Sequence, residues 1–367
     1  MKKALFVLLI FSIVFTTGCW DMTEINERIF PYSVGIDLNK EENGKGKFII
    51  TFSYPNINSL GKSPTSDEKE FILSTEANNI FDAIHHLSDR TQQPIYLKHL
   101  KVLIISEDIA RDDKLMRQII DGLNRDYVLN KMINLLVTKE SAKDLIEVKI
   151  HSIRQEDMEG IVYTLLRNDQ KSIEFTPKTL NTFIKNIDIS SASIVPLGSI
   201  LEEEIKISGG AVFKDYKLVG YINGKENKNI ALLNGNVKES ELNIDYEDAN
   251  LSVLIMNSSS KKKQLIDDGE ELRILCSVNI EGQINGYILN EQQFNYSNEN
   301  IEEMERQMEE KIEKELKATV RRLQEELNAD VIGVSEYLYK FHPNVWNKVM
   351  DDWDEIFPHI DIDVDVE

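Results

Sequence analysis

Hydrophobic and polar positions give the first half of the chain a mixture of strands and helices. The apolar segments Phe30–Leu38 and Lys47–Tyr54 predict a strand pair, because the connection Asn39–Gly46 is rich in Lys, Glu, Asn and Gly. The segment Asn56–Lys69 contains Pro, Gly, Ser and Asp and predicts a long surface loop. Two further apolar runs predict strands at Val102–Ser106 and Ile133–Thr138. Apolar residues at helical spacing predict helices over Thr75–Asp89, Asp108–Leu123 and Glu140–Val148.

The middle of the chain carries the predicted domain boundary. The pattern over Ile153–Lys185 is mostly helical, and Thr176-Pro177 is a predicted helix start because Pro fits the first helical position. The segment Ser190–Ser199 is small and polar and contains Pro196 and Gly198, so it predicts the break between two folding units.

The second half predicts an antiparallel sheet. A hairpin is predicted from two segments that turn at Lys214–Tyr216, and a short helix is predicted after it. Two longer strands follow, separated by a basic run and an acidic turn. In chain order these segments are Ile205–Phe213, Lys217–Ile222, Lys225–Asn234, Leu242–Asn257, Lys261–Lys263, Asp267–Gly269 and Leu272–Ile280.

One long amphipathic helix and a final strand complete the pattern. The helix shows a single apolar stripe, formed by Ile301, Met304, Met308, Ile312, Leu316, Val320, Leu323 and Leu327. Asn300 with Glu303 predicts its cap, and Glu310–Lys314 and Glu313–Lys317 are predicted supporting pairs. The stripe favours packing on the domain's own sheet over a coiled coil with a partner. Strict alternation over Ile360–Val366 predicts a strand with one buried face.

The fold class predicted from these elements is α+β, in a multidomain chain of 367 residues. Residues 19–195 form the predicted N-terminal region, with two subdomains whose division the pattern does not fix. Residues 200–367 form the predicted C-terminal domain, an antiparallel-looking sheet with one long amphipathic helix.

The first residues have the pattern of a secretory signal. Lys2-Lys3 precede an apolar run from Ala4 to Phe15, which is too short to span a bilayer as a helix, and small residues lead to Gly18-Cys19. We interpret residues 1–18 as a lipoprotein signal peptide and Cys19 as the lipid-attachment residue. Thr16 stands where such signals usually carry an aliphatic residue, so the alternative is an ordinary signal peptide with Cys19 incidental.

Charge and cysteine content narrow the range of partners. The net charge of −21 at pH 7 opposes binding to nucleic acid and to anionic headgroups, so membrane attachment is expected through a lipid or protein partners rather than a basic patch. Two cysteines exclude a disulfide scaffold, and Cys276 lies in an alternating apolar stretch typical of a small buried hydrophobe.

Motifs that would indicate an enzyme are mostly missing. The segment Gly220–Lys225 is one residue short of a phosphate-binding loop, and Glu226 stands in place of its Ser or Thr. His85 and His86 lie near Asp89 in the sequence, but adjacent side chains on a helix point about 100° apart, so these residues are not expected to bind one metal ion. His99 is interpreted as structural. The aspartates at 361, 363 and 365 are interpreted as the solvated face of a strand, since a calcium loop would need Gly and Glu at fixed positions. No catalytic, cofactor-binding or metal-binding residue is assigned.

Several short motifs occur in order along the chain. They are Cys19-Trp20-Asp21, Glu24–Arg28, Gly35–Asp37, His99–Ile104, Gly210–Lys214, Val219–Tyr221, Asn328–Gly333, Trp346 and Trp353–Phe357. Together they resemble the Ger(x)C family, the lipoprotein C subunits of spore germinant receptors, and the resemblance covers essentially the whole chain.

The resemblance implies a non-enzymatic receptor subunit of mixed α/β domains without a cofactor. Cys19 would carry an N-palmitoyl group and an S-diacylglycerol. These lipids would anchor the protein to the outer face of the bacterial cell membrane, which in a spore is the inner membrane. The implied partners are the A and B membrane subunits of the receptor, with indirect contact to the nutrient. A solute-binding lipoprotein of a transporter is the alternative, and a surface hydrolase ranks last.

Overall fold

The computed structural model describes residues 28–41, 44, 46–56, 70–91, 93–148, 161–167, 174–202, 204–235, 237, 240–246, 249–266, 272–289 and 298–367. The predicted signal peptide, Cys19, nearly all of the predicted loop Asn56–Lys69 and part of the predicted helical segment Ile153–Lys185 lie outside these residues. The described chain contains both helices and sheets, which confirms the α+β class.

A large sheet of mixed direction forms the first part of the structure. Its strands are β1 (Ser33–Leu38), β2 (Phe48–Pro55), β3 (Glu70–Ala77), β4 (Val102–Ser106), β5 (Asn134–Thr138), β6 (Lys178–Thr179), β7 (Ala192–Leu201), β8 (Glu204–Lys214) and β9 (Lys217–Ile222). They lie in the order β3-β2-β1-β4-β5-β7-β8-β9, and β6 pairs with β5. The central neighbours β1, β4, β5 and β7 run parallel, and the outer pairs run antiparallel.

Helices cover both faces of this sheet. The helices of this region are α1 (Ile80–Thr91), α2 (Glu107–Ala110), α3 (Asp113–Arg125), α4 (Ala142–Glu147), α5 (Ile161–Leu166), α6 (Leu180–Ser190) and α7 (Gly224–Leu233). Leu103 and Ile105 of β4 face a core shared with α1, α3 and α6, while Val102 and Ile104 face a core shared with α4 and α5. All four side chains are buried, as expected for a parallel strand that lies between two helical layers.

Three predictions for this region are wrong in detail. The predicted helix Thr75–Asp89 begins only at Ile80, because residues up to Ala77 belong to strand β3, which the pattern missed. The predicted helix Asp108–Leu123 is two helices, since the Asp112 carboxylate accepts hydrogen bonds from Lys114 and Leu115 N–H, both at 3.0 Å, and starts α3. Thr176-Pro177 does not start a helix: Thr179 caps α6 by accepting from Thr182 N–H at 3.2 Å.

The segment Ser190–Ser199 is not a linker. Ser191 ends α6 with a left-handed φ of 51°, and the chain then enters β7, which pairs with β5 and β8 inside the large sheet. The five residues Ala192 to Pro196 are all buried inside this sheet. The division of the chain into an N-terminal region and a C-terminal domain near this point stays a prediction.

A second sheet of four strands forms the rest of the described chain. Its order is β10-β11-β12-β13, with β10, β11 and β12 antiparallel and β13 parallel to β12. These strands are β10 (Ser240–Tyr246), β11 (Ala249–Ile266), β12 (Arg273–Leu289) and β13 (Asp361–Val366). The helices are α8 (Asn298–Glu325), α9 (Val334–Phe341), α10 (Pro343–Val349) and α11 (Trp353–Ile356).

The second half of the chain confirms some predictions and corrects others. The hairpin of β8 and β9, helix α7 and the final strand β13 are confirmed, but the hairpin belongs to the large sheet, and β13 runs parallel to β12 in the sheet predicted to be antiparallel. The predicted strand Leu242–Asn257 covers parts of two strands, and Lys261–Lys263 lie within β11 rather than between strands. Asn300 lies inside α8, which starts at Asn298, so the predicted cap is wrong.

The apolar stripe of α8 packs on its own sheet, as predicted. Leu316, Val320 and Leu323 are almost completely buried in a core with Cys276 of β12 and Val364 of β13. Lys317 forms the predicted ion pair with Glu313 at 2.6 Å and also reaches Asp363 at 2.8 Å. Glu310 instead pairs with Arg306.

The two sheets share one hydrophobic core. Ile194, Val212 and Ile222 of the large sheet are buried together with the α8 stripe. Polar bridges cross the same junction: Lys185 Nζ lies 3.0 Å from Glu336 Oε1, and Lys214 Nζ lies 3.1 Å from Asp354 Oδ1. A continuous core of this kind makes the two sheets one packed unit.

Gly35 and Asp37 hold helix α4 against strand β1. A Cβ on Gly35 would lie 2.9 Å from Ile146 Cδ1 and 3.1 Å from Ala142 Cβ, so only glycine admits the helix at this distance. The Asp37 carboxylate accepts hydrogen bonds from Ala142 N–H at 2.7 Å and Lys143 N–H at 3.0 Å. Burial raises the pKa of Asp37, and these two hydrogen bonds oppose that rise.

Replacing Gly35 with Ala should destabilise the fold, because the added methyl meets helix α4. Overpacking of this kind typically costs about 1–3 kcal/mol of the free energy of unfolding, measurable by urea denaturation. The control is Gly122→Ala in α3, where an added Cβ meets nothing within 4 Å. That variant should gain about 0.5–1 kcal/mol, because Ala favours a helix interior over Gly. A Gly35→Ala protein as stable as the unsubstituted chain would contradict the packing described here.

Candidate functional site at the N-terminal edge of the large sheet

The predicted attachment residue Cys19 lies outside the described residues, but the point where the chain joins the fold is described. Ile29 N–H donates to Pro94 O at 3.0 Å, and Tyr96 N–H donates to Ile29 O at 2.9 Å, so Ile29 forms an isolated parallel bridge with Ile95. Ile29 is buried. The segment that follows residues 1–27 is therefore fixed to the body before β1 begins.

The strands β1, β4 and β5 all begin at this place. Ser33, Val102 and Asn134 lie in register across the three strands. Tyr32 O accepts hydrogen bonds from Lys101 N–H at 2.8 Å and Val102 N–H at 3.0 Å. We call the edge at which these strands begin the N-terminal edge, formed by residues 28–32, 93–101 and 124–133.

Aromatic rings and cations line this edge. The Arg28 guanidinium lies over the Tyr96 ring at 4.3 Å from its centroid, and the Phe30 ring meets His99 edge-on at 5.0 Å. Lys98 and His99 are exposed. His99, interpreted from the sequence as structural, packs on an aromatic ring here.

The loop Asp126–Met132, between α3 and β5, is held firmly. The Asp126 carboxylate accepts from Val128 N–H at 2.7 Å and Leu129 N–H at 3.0 Å, and Leu129 is buried. Lys131 Nζ donates to three carbonyls at the end of α3, those of residues 123, 124 and 126, at 2.6, 2.8 and 2.7 Å. Partial burial lowers the pKa of Lys131, and the nearby Asp126 charge opposes this.

This anchored loop presents apolar side chains to solvent. Tyr127 is 97% exposed, Met132 is 61% exposed and Val128 is 45% exposed. The sequence analysis did not identify these residues as exposed, because Tyr127-Val128-Leu129 is a short apolar run of the kind expected in a core. The signal in the sequence is Asp126, an acidic turn residue that separates this run from the helix before it.

The other motif residues have structural roles. The Asp330 carboxylate accepts from Val334 N–H at 3.0 Å and Ser335 N–H at 2.6 Å and so starts helix α9. Burial raises the pKa of Asp330, and its hydrogen bonds oppose that rise. Trp353 is buried and meets Trp346 edge-on at 5.2 Å. A Cβ on Gly220 would lie 2.5 Å from Leu327 Cδ2. Glycine at this position therefore lets Leu327, which follows the end of α8, pack closely against β9.

The histidines of α1, Cys276 and the aspartates of β13 are the candidate residues for metal or thiol chemistry. His86 Nε2 lies 3.3 Å from Asp82 and His85 Nδ1 lies 3.9 Å from Asp89, and the centroids of the two imidazole rings are 6.4 Å apart. Among the described residues, no group of three or more His, Cys, Asp or Glu side chains could hold a metal ion. Cys276 is buried, which raises the pKa of its thiol. Asp361 and Asp365 are exposed on β13, as predicted for a solvated strand face.

None of the helices in the described part of the chain combines the length and the apolar character needed to cross a bilayer.

Comparison with known proteins gives matches along the whole chain. Residues 21–200 match the family described as "Spore germination protein N-terminal domain", and residues 208–367 match "Spore germination B3/ GerAC like, C-terminal". Spore germination protein B3 of Bacillus subtilis (strain 168) is 22% identical, over 98% of this chain and 95% of the relative. Spore germination protein KC of the same organism is 22% identical, over 100% and 94%.

The fold also matches a solved structure. The crystal structure of the GerBC protein superposes with a TM-score of 0.58 at 19% identity, covering 94% of this chain and 98% of that one. This crystal structure shares the fold of the chain, and the matching family models and relatives are named for spore germination. The chain belongs to the Ger(x)C family, which confirms the resemblance drawn from the motifs.

Replacing Lys131 with Met should loosen the exposed loop and lower the stability of the fold. The ammonium caps the C-terminal end of α3, and we expect a loss of about 1–2 kcal/mol in the free energy of unfolding. The measurement is chemical denaturation, with hydrogen exchange of the amides at residues 126–132 as a local readout. The control Lys114→Met removes an exposed lysine at the start of α3 and should stay within about 0.5 kcal/mol. Equal stabilities for the two variants would argue against the capping role.

Proposed function

We propose that this protein is the lipid-anchored C subunit of a spore germinant receptor, needed for nutrient-triggered germination. The observation that carries the proposal is the end-to-end family match: the two matched regions cover residues 21–200 and 208–367, and the relatives align over nearly their full lengths. Its role is to assemble with, or signal through, the A and B membrane subunits.

The lipid anchor explains how the protein reaches these partners. A diacylglycerol thioether at Cys19, with an N-palmitoyl group on the new N-terminus, places several acyl chains in the outer face of the membrane. Each buried methylene contributes roughly 0.8 kcal/mol, so more than one chain gives stable anchoring. The anchor confines the protein to the plane of its partners, which raises their effective concentration and lets weak contacts suffice.

A binding and assembly role fits the way the polar residues are used. Asp37 and Asp330 cap helices with both carboxylate oxygens, and the Cys276 thiol is buried. These groups are engaged in packing rather than set up for acid–base or nucleophilic chemistry. Contact with the nutrient is then indirect, through the receptor's membrane subunits. The continuous core between the two sheets disfavours the solute-binding alternative, which needs two lobes that move about a cleft.

Deleting this chain should abolish the response of spores to the nutrients of its receptor. Germination by non-nutrient triggers should remain, because the later steps do not pass through the receptor. The measurement is the loss of optical density of purified spores after each trigger, with the unsubstituted chain restored as the control. A tagged copy should also bring down the A and B subunits from solubilised spore membranes. A normal nutrient response together with a tagged copy that binds neither subunit would reject the proposal.

The variant Cys19→Ala should release the protein from the membrane, because the acylated sulfur is removed. The measurement is the fraction that stays with the membrane pellet after a carbonate wash. The matched control is Cys276→Ala, which removes the other cysteine of the chain and should leave the protein in the pellet. Retention of Cys19→Ala at the level of the control would show that the lipid is not the main anchor.

A further inference from the structure

We propose that the N-terminal edge of the large sheet rests on the anionic headgroup surface of the membrane, with the loop Asp126–Met132 as its contact. The proposal rests on the lipid anchor at Cys19. It adds which face of the protein meets the bilayer, and what that face recognises: lipid phosphates together with the interfacial zone just below them.

The length of the connection limits how far this edge can be from the bilayer. Nine residues lead from Cys19 to Arg28, where the described fold begins. An extended chain of that length spans at most about 30 Å. Ile29 is already bonded to Pro94 and Tyr96, so the connection cannot lengthen without breaking the N-terminal edge.

The exposed loop lies beside the point where the chain joins the fold. Ser33 of β1 is in register with Val102 of β4, which is in register with Asn134 of β5. Adjacent strands are about 4.8 Å apart, so the start of β5 is about 10 Å from the start of β1. The loop that ends at β5 is therefore among the parts of the protein that the anchor holds nearest to the lipid.

The loop has the side chains of an interfacial contact. Ten large apolar side chains of the described residues are exposed, and three of them, Tyr127, Val128 and Met132, fall within these seven residues. Tyrosine prefers the headgroup level because its ring is apolar and its hydroxyl is polar. The hydrogen bonds of Asp126 and Lys131 already hold the loop backbone, so little ordering is needed when these side chains enter the lipid.

The charge of this edge is opposite to that of the whole chain. The segments that form the N-terminal edge contain five cationic residues, Arg28, Lys98, Lys101, Arg125 and Lys131, and one acidic residue, Asp126. The chain as a whole carries −21. Each cation near an anionic surface is attracted to it, whereas the acidic remainder of the protein is repelled. Attraction at one edge and repulsion elsewhere fix the orientation.

The test compares an environment-sensitive label at two exposed positions. The fluorophore NBD is attached to Tyr127→Cys in the lipidated full-length mature protein, which is then incorporated into phosphatidylglycerol–phosphatidylcholine vesicles. The matched control carries the label on Met256→Cys, an exposed apolar position on β11 of the other sheet. Cys276 is buried and does not compete for the label. Both proteins should float with the vesicles, since they keep the lipid.

The proposal expects a blue shift and a severalfold rise in NBD intensity at position 127, and no change at position 256. The charge reversals Lys98→Glu and Arg125→Glu, added together to the Tyr127→Cys protein, should remove most of the rise. Flotation without a change at position 127 would overturn this proposal and leave the anchor intact. A change at both positions, or a change at 127 only after the A and B subunits are added, would also overturn it, because the surface would then lack orientation or meet protein. Loss of flotation would overturn the anchor and this proposal together.

Discussion

Burial of three parallel strands on both faces is the constraint on which the rest of the structure depends. Val102, Leu103 and Ile104 of β4 are completely buried, so their backbone groups can be satisfied only by β1 and β5 in one register. Gly35 and Asp37 serve the same arrangement by bringing α4 close to β1. Because the register is fixed, the segments before the three strands lie side by side, which creates the N-terminal edge from parts of the chain that are distant in sequence.

Local patterns predict the elements whose partners are near in sequence or whose periodicity is long. The α8 stripe, the strand pair β1–β2 and the hairpin β8–β9 are examples, since each is set by its own alternation or helical spacing. The sequence pattern did not predict β3, and it predicted a linker where the structure has β7. The assignment of each strand depends on a neighbour already in place: β2 for β3, and β5 with β8 for β7.

Net charge was a poor guide to the candidate site for a physical reason. A total of −21 describes the potential far from the protein, whereas a surface a few ångströms away responds to local groups within a Debye length of about 8–10 Å. The expectation that attachment uses a lipid or protein partners rather than a basic patch stays a prediction, and it rests on the total charge, which does not describe the local charge of the N-terminal edge. Its cations come from three separate segments, none of which is notably basic by itself. Only the register of β1, β4 and β5 brings them together.

The shared core decides how a change at this edge would reach the other sheet. Strand β1 lies in the interior of the large sheet, between β2 and β4. A pulling force on the chain before Ile29 would therefore act along β1 and place the hydrogen bonds of β1 to both neighbours in shear. The far strands β8 and β9 are buried against the α8 stripe and bridged by Lys214 to Asp354. Packed interiors deform little, so such a pull would turn the two sheets as one body rather than open a cleft between them. A body of this kind would suit the proposed tethered assembly subunit, which has to hold its partners at a set height and angle above a membrane.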